Sequence, residues 1–218
     1  MYFKKYFILV IFLLTTTQVI AKEYDKIGLN FFFNFGFSLY QNVKINNIEF
    51  AEPKKTITLD MPLGVLYELN QTKTGSLIIG TGLSLNGISY EGTAKINNQY
   101  NPITLLISCF GNKAYVGYKL TPNDRFSMYA LGHLGYYAAN VGTVLIEGSL
   151  IDGKLNIENY INYGIILINT FNLTNSFGMS LNLGFNNNSM SIENTILNIN
   201  QKLNYTDVIM SLGLMYSI

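Results

Sequence analysis

The segment Ile27–Tyr40 reads IGLNFFFNFGFSLY and alternates in character from residue to residue. Its odd positions are all large and apolar, whereas its even positions are mostly Gly, Asn or Ser. A period of two residues indicates a β-strand, because successive side chains of a strand point to opposite faces. The apolar face continues for about 13 residues, beyond the usual globular strand of about 5–6 residues. A tilted strand of about 9–11 residues is long enough to cross a bilayer.

The same alternation recurs along the rest of the chain. Regular examples are Thr56–Leu69, Gly75–Tyr90, Ser176–Asn186 and Leu203–Ile218, and less regular ones are Arg125–Asn140 and Tyr160–Leu173. A further strand ends near Leu120, with Ala114, Val116, Tyr118 and Leu120 facing outward, and begins between Pro102 and Cys109. The polar face of these segments is small and nearly uncharged, whereas a soluble sandwich would carry charges there. Large apolar side chains opposite small polar ones are typical of a closed barrel in lipid.

The connections between these segments alternate strictly between short and long. The short ones are Asn70–Thr74, Thr121–Asp124 and Thr174–Asn175, and the long polar ones cover roughly 41–55, 91–101, 141–159 and 187–202. Outer-membrane barrels alternate in this way between short periplasmic turns and long external loops. The sequence therefore predicts an all-β fold, a closed antiparallel transmembrane β-barrel of eight strands, whose interior is nearly filled by side chains.

The first residues have the three parts of a secretory signal peptide. Lys4 and Lys5 supply the positive region, Phe7–Leu14 is unbroken and apolar, and Val19 and Ala21 fit a cleavage site. We therefore expect a signal peptide over 1–21, export from the cytoplasm, and a barrel domain over 22–218.

Composition restricts the function further. With 14 basic and 13 acidic residues the net charge is +1, which argues against a nucleic-acid partner. The single Cys109 excludes a disulfide within the chain, and we expect it to face lipid or the base of a loop. One His and one Cys are too few for a converging metal site, and no cofactor motif is recognisable.

The pattern as a whole resembles the small eight-stranded outer-membrane barrels of the OmpA transmembrane-domain, OmpX and OmpW kind, over about residues 24–218. Tyr216 matches their aromatic two positions before the end, whereas Ile218 departs from their terminal Phe. The resemblance implies an integral protein of the cell outer membrane. It implies outer-membrane lipids, lipopolysaccharide and the barrel-assembly machinery as partners, and an external ligand or host surface met by the loops.

A few inward charges and two polar side chains are the candidate lumen residues. The predicted charge network is Asp60, Glu68, Lys113, Lys119, Arg125 and Asp207. Its members should pair, because an isolated buried charge is costly, and Glu68, Lys119 and Arg125 should share the periplasmic end. His133 and Tyr129 are further polar lumen side chains. Interfacial aromatic girdles are predicted from Tyr40, Tyr67, Tyr90, Tyr118, Tyr136, Tyr160, Phe171, Tyr205 and Tyr216.

These residues favour a non-enzymatic protein, structural or surface-interacting, with a filled lumen. One alternative is a small pore or a conduit for hydrophobic solutes. A second is an outer-membrane lipid-modifying enzyme with His133 as base, since some outer-membrane lipases and deacylases resemble this fold; its candidate serines, Ser84, Ser127, Ser180 and Ser211, are equally explained as small lumen residues. A third is a soluble lipocalin-like barrel with its apolar face inward, which the scarcity of charge opposes.

Overall fold

The computed structural model describes residues 28–45, 51–69, 71–72, 74–96, 99–123, 125–146, 149–194 and 199–218. Its eight strands are β1 (Gly28–Ile45), β2 (Ala51–Leu69), β3 (Gly75–Ile96), β4 (Gln99–Asn123), β5 (Phe126–Ile146), β6 (Ser149–Asn172), β7 (Phe177–Asn194) and β8 (Ile199–Ser217). Each strand pairs antiparallel with the next, and β8 returns to β1 to close the barrel. The fold class is therefore as predicted, while the signal peptide prediction lies outside the described residues.

Closure of the barrel gives β1 and β8 backbone hydrogen-bond partners on each other. The last ladder joins β1 to β8, from the pair Asn30 and Ser217 to the pair Ile45 and Leu203. Between the pairs Gly28–Glu68 and Phe37–Leu59, β1 also pairs with β2, so the closed ring leaves no strand edge with free amide and carbonyl groups there, which hydrocarbon could not satisfy. Among the residues that the structure describes, no helix is long and apolar enough to cross a membrane.

The outer wall carries a wide ring of exposed large apolar side chains, which we call the apolar belt. It includes Phe33, Phe35, Phe37, Leu63, Ile79, Leu85, Phe110, Val116, Leu134, Tyr136, Ile165, Leu167, Leu181, Phe185, Leu212 and Leu214. On β1, Phe35 is 46% exposed while its neighbour Asn34 is 1% exposed. A soluble protein rarely exposes so large a continuous apolar surface, so the belt is the surface that lies in the membrane.

The predicted long loops are wrong in large part, because most of their residues continue the strands. The β3–β4 ladder runs to the pair Ile96 and Gln99, and the β5–β6 ladder to the pair Ile146 and Ser149. The fourth strand consequently begins at Gln99 and includes the apolar run 103–107 whose place was open. We call the strand parts at residues 88–96, 99–107, 141–146, 149–158, 187–194 and 199–206 the distal extension, and the opposite end of the barrel the basal end.

The amphipathic pattern reverses in the distal extension. Ile103, Leu105 and Ile107 point into the barrel and are at most 5% exposed, while Glu91 and Lys202 point outward and are exposed. In the apolar belt the outward face is apolar, whereas here the inward face is apolar and the outward face is mostly polar. Such a reversal is expected where a barrel wall leaves hydrocarbon and enters water. The reversal also explains why the pattern of one continuous apolar face predicts strands that end too early.

The reversal corrects several side-chain predictions. Tyr90, Tyr160 and Tyr205 are at most 3% exposed and lie inside the barrel, so their place in an outer aromatic girdle is wrong. Cys109 is fully buried in the same interior cluster, so it does not face lipid. The predicted girdle members Tyr118, Tyr136, Phe171 and Tyr216 are exposed on the outer wall, and the side chain of Tyr40 lies outside the described set.

The interior is packed in layers. Near the basal end lies a basal cluster of Phe32, Leu66, Ile78, Tyr115, Tyr129, Leu131, Ile168 and Met215. Inside the distal extension lies a distal cluster that includes Ile88, Tyr90, Ile103, Leu105, Tyr137, Tyr160, Met190, Leu203 and Tyr205. Hydrogen-bonded polar side chains lie between these clusters. This polar layer is where the predicted lumen residues are found.

Candidate functional site in the barrel lumen

The polar layer contains a buried ion pair between opposite charges of β2 and β4. Lys113 Nζ lies 2.6 Å from Asp60 Oδ2, and the two side chains are 4% and 11% exposed. Ser84 Oγ donates to the other carboxylate oxygen of Asp60 at 2.7 Å. Tyr137 OH in turn donates to Ser84 Oγ at 3.2 Å. The carboxylate thus has partners on both oxygens, which a buried charge requires.

A chain of amides crosses the same layer on β6, β7 and β8. Asn188 Nδ2 donates to Asp207 Oδ2 at 3.4 Å, and Asn188 Oδ1 accepts from Asn162 Nδ2 at 2.7 Å. Tyr160 OH also donates to Asn188 Oδ1 at 3.0 Å. Asn162 Oδ1 then lies 3.0 Å from His133 Nε2. Along this chain of contacts, from the Asp207 carboxylate to the His133 imidazole, each hydrogen-bond donor faces an acceptor.

A second ion pair lies at the basal end. Lys119 Nζ lies 2.5 Å from Glu68 Oε1, which also accepts from Asn30 Nδ2 at 2.6 Å. Ser76 Oγ donates to Glu68 Oε2 at 3.0 Å. Lys119 Nζ also lies 5.4 Å from the centre of the Tyr129 ring, within range of a cation–π contact. Tyr129 is thus an inward side chain, as expected for that strand parity.

The predicted charge network is therefore two separate pairs with different surroundings. Arg125 belongs to neither, because it precedes the first residue of β5 and its side chain is exposed in the short turn. Its assignment to the lumen is wrong. Asp207 does face the lumen at 1% exposure, but its hydrogen bond goes to an amide of Asn188.

The geometry around His133 bears on the alternative of a lipid-modifying enzyme that uses this residue as a base. His133 is 9% exposed and its contact is to Asn162, while Ser84 is engaged by Asp60 and Tyr137. In the described part of the chain no serine hydroxyl reaches the imidazole, which a serine–histidine mechanism needs. The same part of the chain holds no group of three or more metal-ligating His, Cys, Asp or Glu side chains.

The polar layer leaves little free space. A cavity of about 20 Å³ lies beside Phe32, Asp60, Lys113, His133, Asn186 and Ser211. That volume holds roughly one water molecule. The lumen at this level is filled by side chains, as expected for a barrel of eight strands.

The most important members of the amide chain were not predicted. Asn162 and Tyr160 lie in the predicted strand Tyr160–Leu173 with the parity of its polar face, whereas Asn188 lies in the predicted loop over 187–202, and all three side chains are buried in the lumen. The prediction of lumen contacts rests on charged side chains and therefore leaves the uncharged amides out. Asn at alternating positions of one strand, as at Asn182 and Asn186, is the signal that could have found them.

No family model and no curated protein matches this sequence. Among solved structures, the chain is similar to the outer membrane protein OprG from Pseudomonas aeruginosa, with 11% identity over 88% of this chain and 96% of that one, at a TM-score of 0.45. It is similar to the outer membrane protease OmpT from Escherichia coli, with 10% identity over 89% and 97%, at a TM-score of 0.44. Neisserial surface protein A matches with 12% identity over 87% and 96%, at a TM-score of 0.42.

These likenesses are distant, and the architecture rests on the closed ladder and the apolar belt. Eight antiparallel strands close without an edge at the level of the apolar belt, and this belt runs around the full ring. That combination is the solution that strands have for crossing a bilayer. The chain is an integral membrane β-barrel of the outer-membrane type.

Proposed function

We propose that this protein is a non-enzymatic component of the outer membrane whose lumen is closed and whose distal extension is the surface that meets external partners. The observation that carries the proposal is the filled lumen, where the cavity in the polar layer measures about 20 Å³. A solute would have to displace buried side chains at several successive levels to pass through.

The layers of the lumen support closure at three levels. In the basal cluster the rings of Phe32 and Tyr115 meet edge to face with centres 5.4 Å apart. In the distal cluster the rings of Tyr137 and Tyr160 stack with centres 4.4 Å apart. The ion pair of the polar layer lies between these two contacts. Opening a path would unstack aromatic rings and separate a buried ion pair, which are both costly.

The distal extension suits contact with an aqueous partner. Its outward side chains are mostly polar and include Glu91, Glu158, Glu193 and Lys202, while its inward side chains form a packed core. The β3–β4 ladder runs without a register shift to the pair Ile96 and Gln99, so this hairpin is a rigid part of the platform, which limits the ordering cost of binding. We propose that its tips contact an external ligand or host surface. The apolar belt contacts outer-membrane lipids and lipopolysaccharide, and the barrel-assembly machinery inserts the chain.

Planar-bilayer conductance of the refolded protein tests the closed lumen. Folding is checked first by heat-modifiable gel migration. We expect no discrete openings from the natural chain. Discrete openings whose amplitude changes in Lys113→Gln would establish a pore and overturn the proposal.

A truncation that preserves strand register tests the distal surface. Glu91 pairs with Thr104, so replacing residues 92–103 by an Asn-Gly turn shortens the β3–β4 hairpin without shifting the ladder below it. We expect adhesion of expressing cells to epithelial monolayers to fall while folded barrel in the membrane is unchanged. Equal adhesion by both forms would remove this hairpin from the contact surface.

A conduit for hydrophobic solutes is the second candidate, and the apolar interior of the distal extension favours it. The rate at which an apolar fluorescent probe enters proteoliposomes discriminates the two. A rate above that of protein-free liposomes, reduced by enlarging side chains of the distal cluster, would favour the conduit over the closed barrel.

A further inference from the structure

An exposed amide lies within the apolar belt, on Asn112 of β4. The neighbouring Lys113 points into the lumen, so Asn112 and Ala114 point outward, and both are exposed. On β1 and β2 the outward side chains over 29–37 and 57–69 are all apolar or aromatic. The asparagine on β4 therefore departs from the pattern of the belt.

The position of Asn112 along β4 places it in the hydrocarbon. It is eight residues from Leu120, which pairs with the first residue of β3 at the basal end. At about 3.3 Å per residue and a tilt of about 40°, this is roughly 20 Å along the membrane normal, within an apolar band of about 25 Å. Exposed apolar side chains lie on both sides of this level, Leu85 and Phe110 toward the distal extension and Val116 toward the basal end. Asn112 therefore faces lipid chains unless a protein covers it.

The amide of Asn112 has no hydrogen-bond partner within the described residues. Asn169, an outward asparagine of β6, differs, because its Nδ2 donates to the carbonyl oxygen of Leu181 at 3.4 Å. Hydrocarbon offers neither donors nor acceptors, so an amide that faces it alone is strongly unfavourable. The partner of the Asn112 amide is therefore to be sought on a second molecule.

A second copy of this chain supplies the matching groups at the matching depth. A primary amide has two donor hydrogens and one acceptor oxygen, so two amides can exchange N–H···O bonds in both directions. Acyl chains carry no such groups. In a homodimer whose two-fold axis is parallel to the membrane normal, each residue meets its equivalent at the same depth. An unrelated partner would instead have to present a polar group at that level.

The shape of the wall beside Asn112 allows a close approach. Ala114, the next outward residue of β4, borders a groove of about 570 Å³. Gly132 also lines this groove, and a Cβ added there would meet nothing closer than 3.7 Å, so the space over it is open. Leu134 and Tyr136 project from β5 and are 59% and 54% exposed. Small residues beside large ones let two walls interdigitate, as interfaces inside a membrane require.

We propose that the outer wall of β3, β4 and β5 is an interface between two copies of this chain, with the two Asn112 amides bonded to each other at its centre. Each amide donates its Nδ2–H to Oδ1 of the other. The apolar side chains around them, including Leu83 and Leu134, pack and exclude lipid. The interface lies on the outside of the wall, so it is independent of whether the lumen conducts and of what the distal extension contacts.

Sedimentation equilibrium of the refolded barrel in density-matched detergent micelles tests the interface. We expect a monomer–dimer equilibrium for the natural chain. Asn112→Leu suits a lipid-facing wall and should weaken the dimer about tenfold, the size expected for losing two hydrogen bonds in a membrane. Asn169→Leu is the matched control and should leave the dimer unchanged, because that amide already bonds to Leu181. A natural chain that stays monomeric, or an Asn112→Leu dimer as tight as the natural one, would overturn the proposal.

Cysteine crosslinking in lipid vesicles tests the geometry without relying on the hydrogen bonds. At a protein concentration where the natural chain is dimeric, copper phenanthroline should convert Asn112→Cys largely into a disulfide-linked dimer, because the two thiols face each other across the axis. Leu212→Cys is the control, since it is 64% exposed on β8, four strands away around the ring. The natural chain gives the background, because Cys109 is fully buried. Equal crosslinking of the two variants would indicate random collision, and crosslinking of Leu212→Cys alone would place the contact on the opposite wall; each result contradicts the proposed interface.

Discussion

Lys113 and Asp60 form an ion pair inside the barrel, 2.6 Å apart although 53 residues separate them in the chain. Their strands β2 and β4 are not neighbours, because β3 lies between them. The contact therefore crosses the lumen above the face of β3 rather than joining adjacent strands. The ion pair therefore links β2 directly to β4, two strands that backbone hydrogen bonds connect only through β3.

Removing the cation from this pair should destabilise the barrel strongly. Lys113→Met leaves the Asp60 carboxylate buried, with Ser84 as its only remaining partner among the residues that the structure describes. Breaking a buried ion pair from one side costs about 3–5 kcal/mol. The free energy of unfolding, measured by urea titration in lipid vesicles, should fall by this amount.

Two companion variants distinguish the pair from a general effect of charge. Lys202→Met removes an exposed lysine of the distal extension and should change stability by less than about 0.5 kcal/mol. The double variant Asp60→Leu with Lys113→Met removes both charges and should recover most of the loss, since apolar replacement of a buried pair is often neutral. A double variant as unstable as Lys113→Met alone would contradict the argument.

The basal pair makes a parallel prediction for Glu68. This carboxylate accepts from Asn30, Ser76 and Lys119, so Glu68→Gln replaces one acceptor oxygen by a donor facing donors. Hydrogen bonds to charged groups contribute about 1.5–3 kcal/mol, and we expect a loss in that range. The exposed Glu158→Gln is the matched control and should be neutral. Equal urea midpoints for the two variants would refute the basal contacts as a source of stability.

Strand alternation was sufficient to predict the barrel and the inward side of most strands. Phe33, Phe35 and Phe37 are exposed, whereas Asn30 and Asn34 are buried. This difference is expected for a strand with one face toward lipid and the other toward the lumen. Period-two alternation is a strong signal because a slip of one residue would turn every apolar side chain inward. The alternation does not, however, predict that Lys113 pairs with Asp60, because that contact depends on the curvature of the closed barrel wall.

The distal extension and Arg125 show where the sequence was insufficient. Ile157, Met190 and Ile192 keep the strand period, but their apolar side chains lie on the inward side, so composition alone predicts their segments as loops. Arg125 adjoins a strand, and its position relative to Phe126 depends on where the turn ends. Element boundaries are the weakest part of such predictions, because neighbouring residues share the same local pattern.

A tight approach between β6 and β7 makes Gly164 sensitive to the smallest substitution. In Gly164→Ala the added Cβ would clash with the carbonyl oxygen of Phe185, so the two strands must separate. Overpacking of this kind costs about 1–3 kcal/mol. Gly87→Ala is the control, because its Cβ would have its nearest neighbour at 3.8 Å. Urea unfolding should show a loss for the first variant and none for the second; similar midpoints would contradict the close approach.

The reversal of polarity predicts which residues meet water, lipid and the interior. We expect a charged maleimide to label Glu158→Cys on intact proteoliposomes, because that side chain is exposed on the distal extension. Phe185→Cys should resist the reagent because it lies in the apolar belt, and Ile157→Cys should resist it because Ile157 is 6% exposed inside the barrel. Cys109 is fully buried and should stay unlabelled in the natural chain, which serves as the background control. Since Ile157 and Glu158 are adjacent, mobility of the segment would label both, whereas a rigid strand labels one. Equal labelling of these neighbours would mean that residues 141–158 are a loop after all, and it would remove the platform on which the proposed external contacts depend.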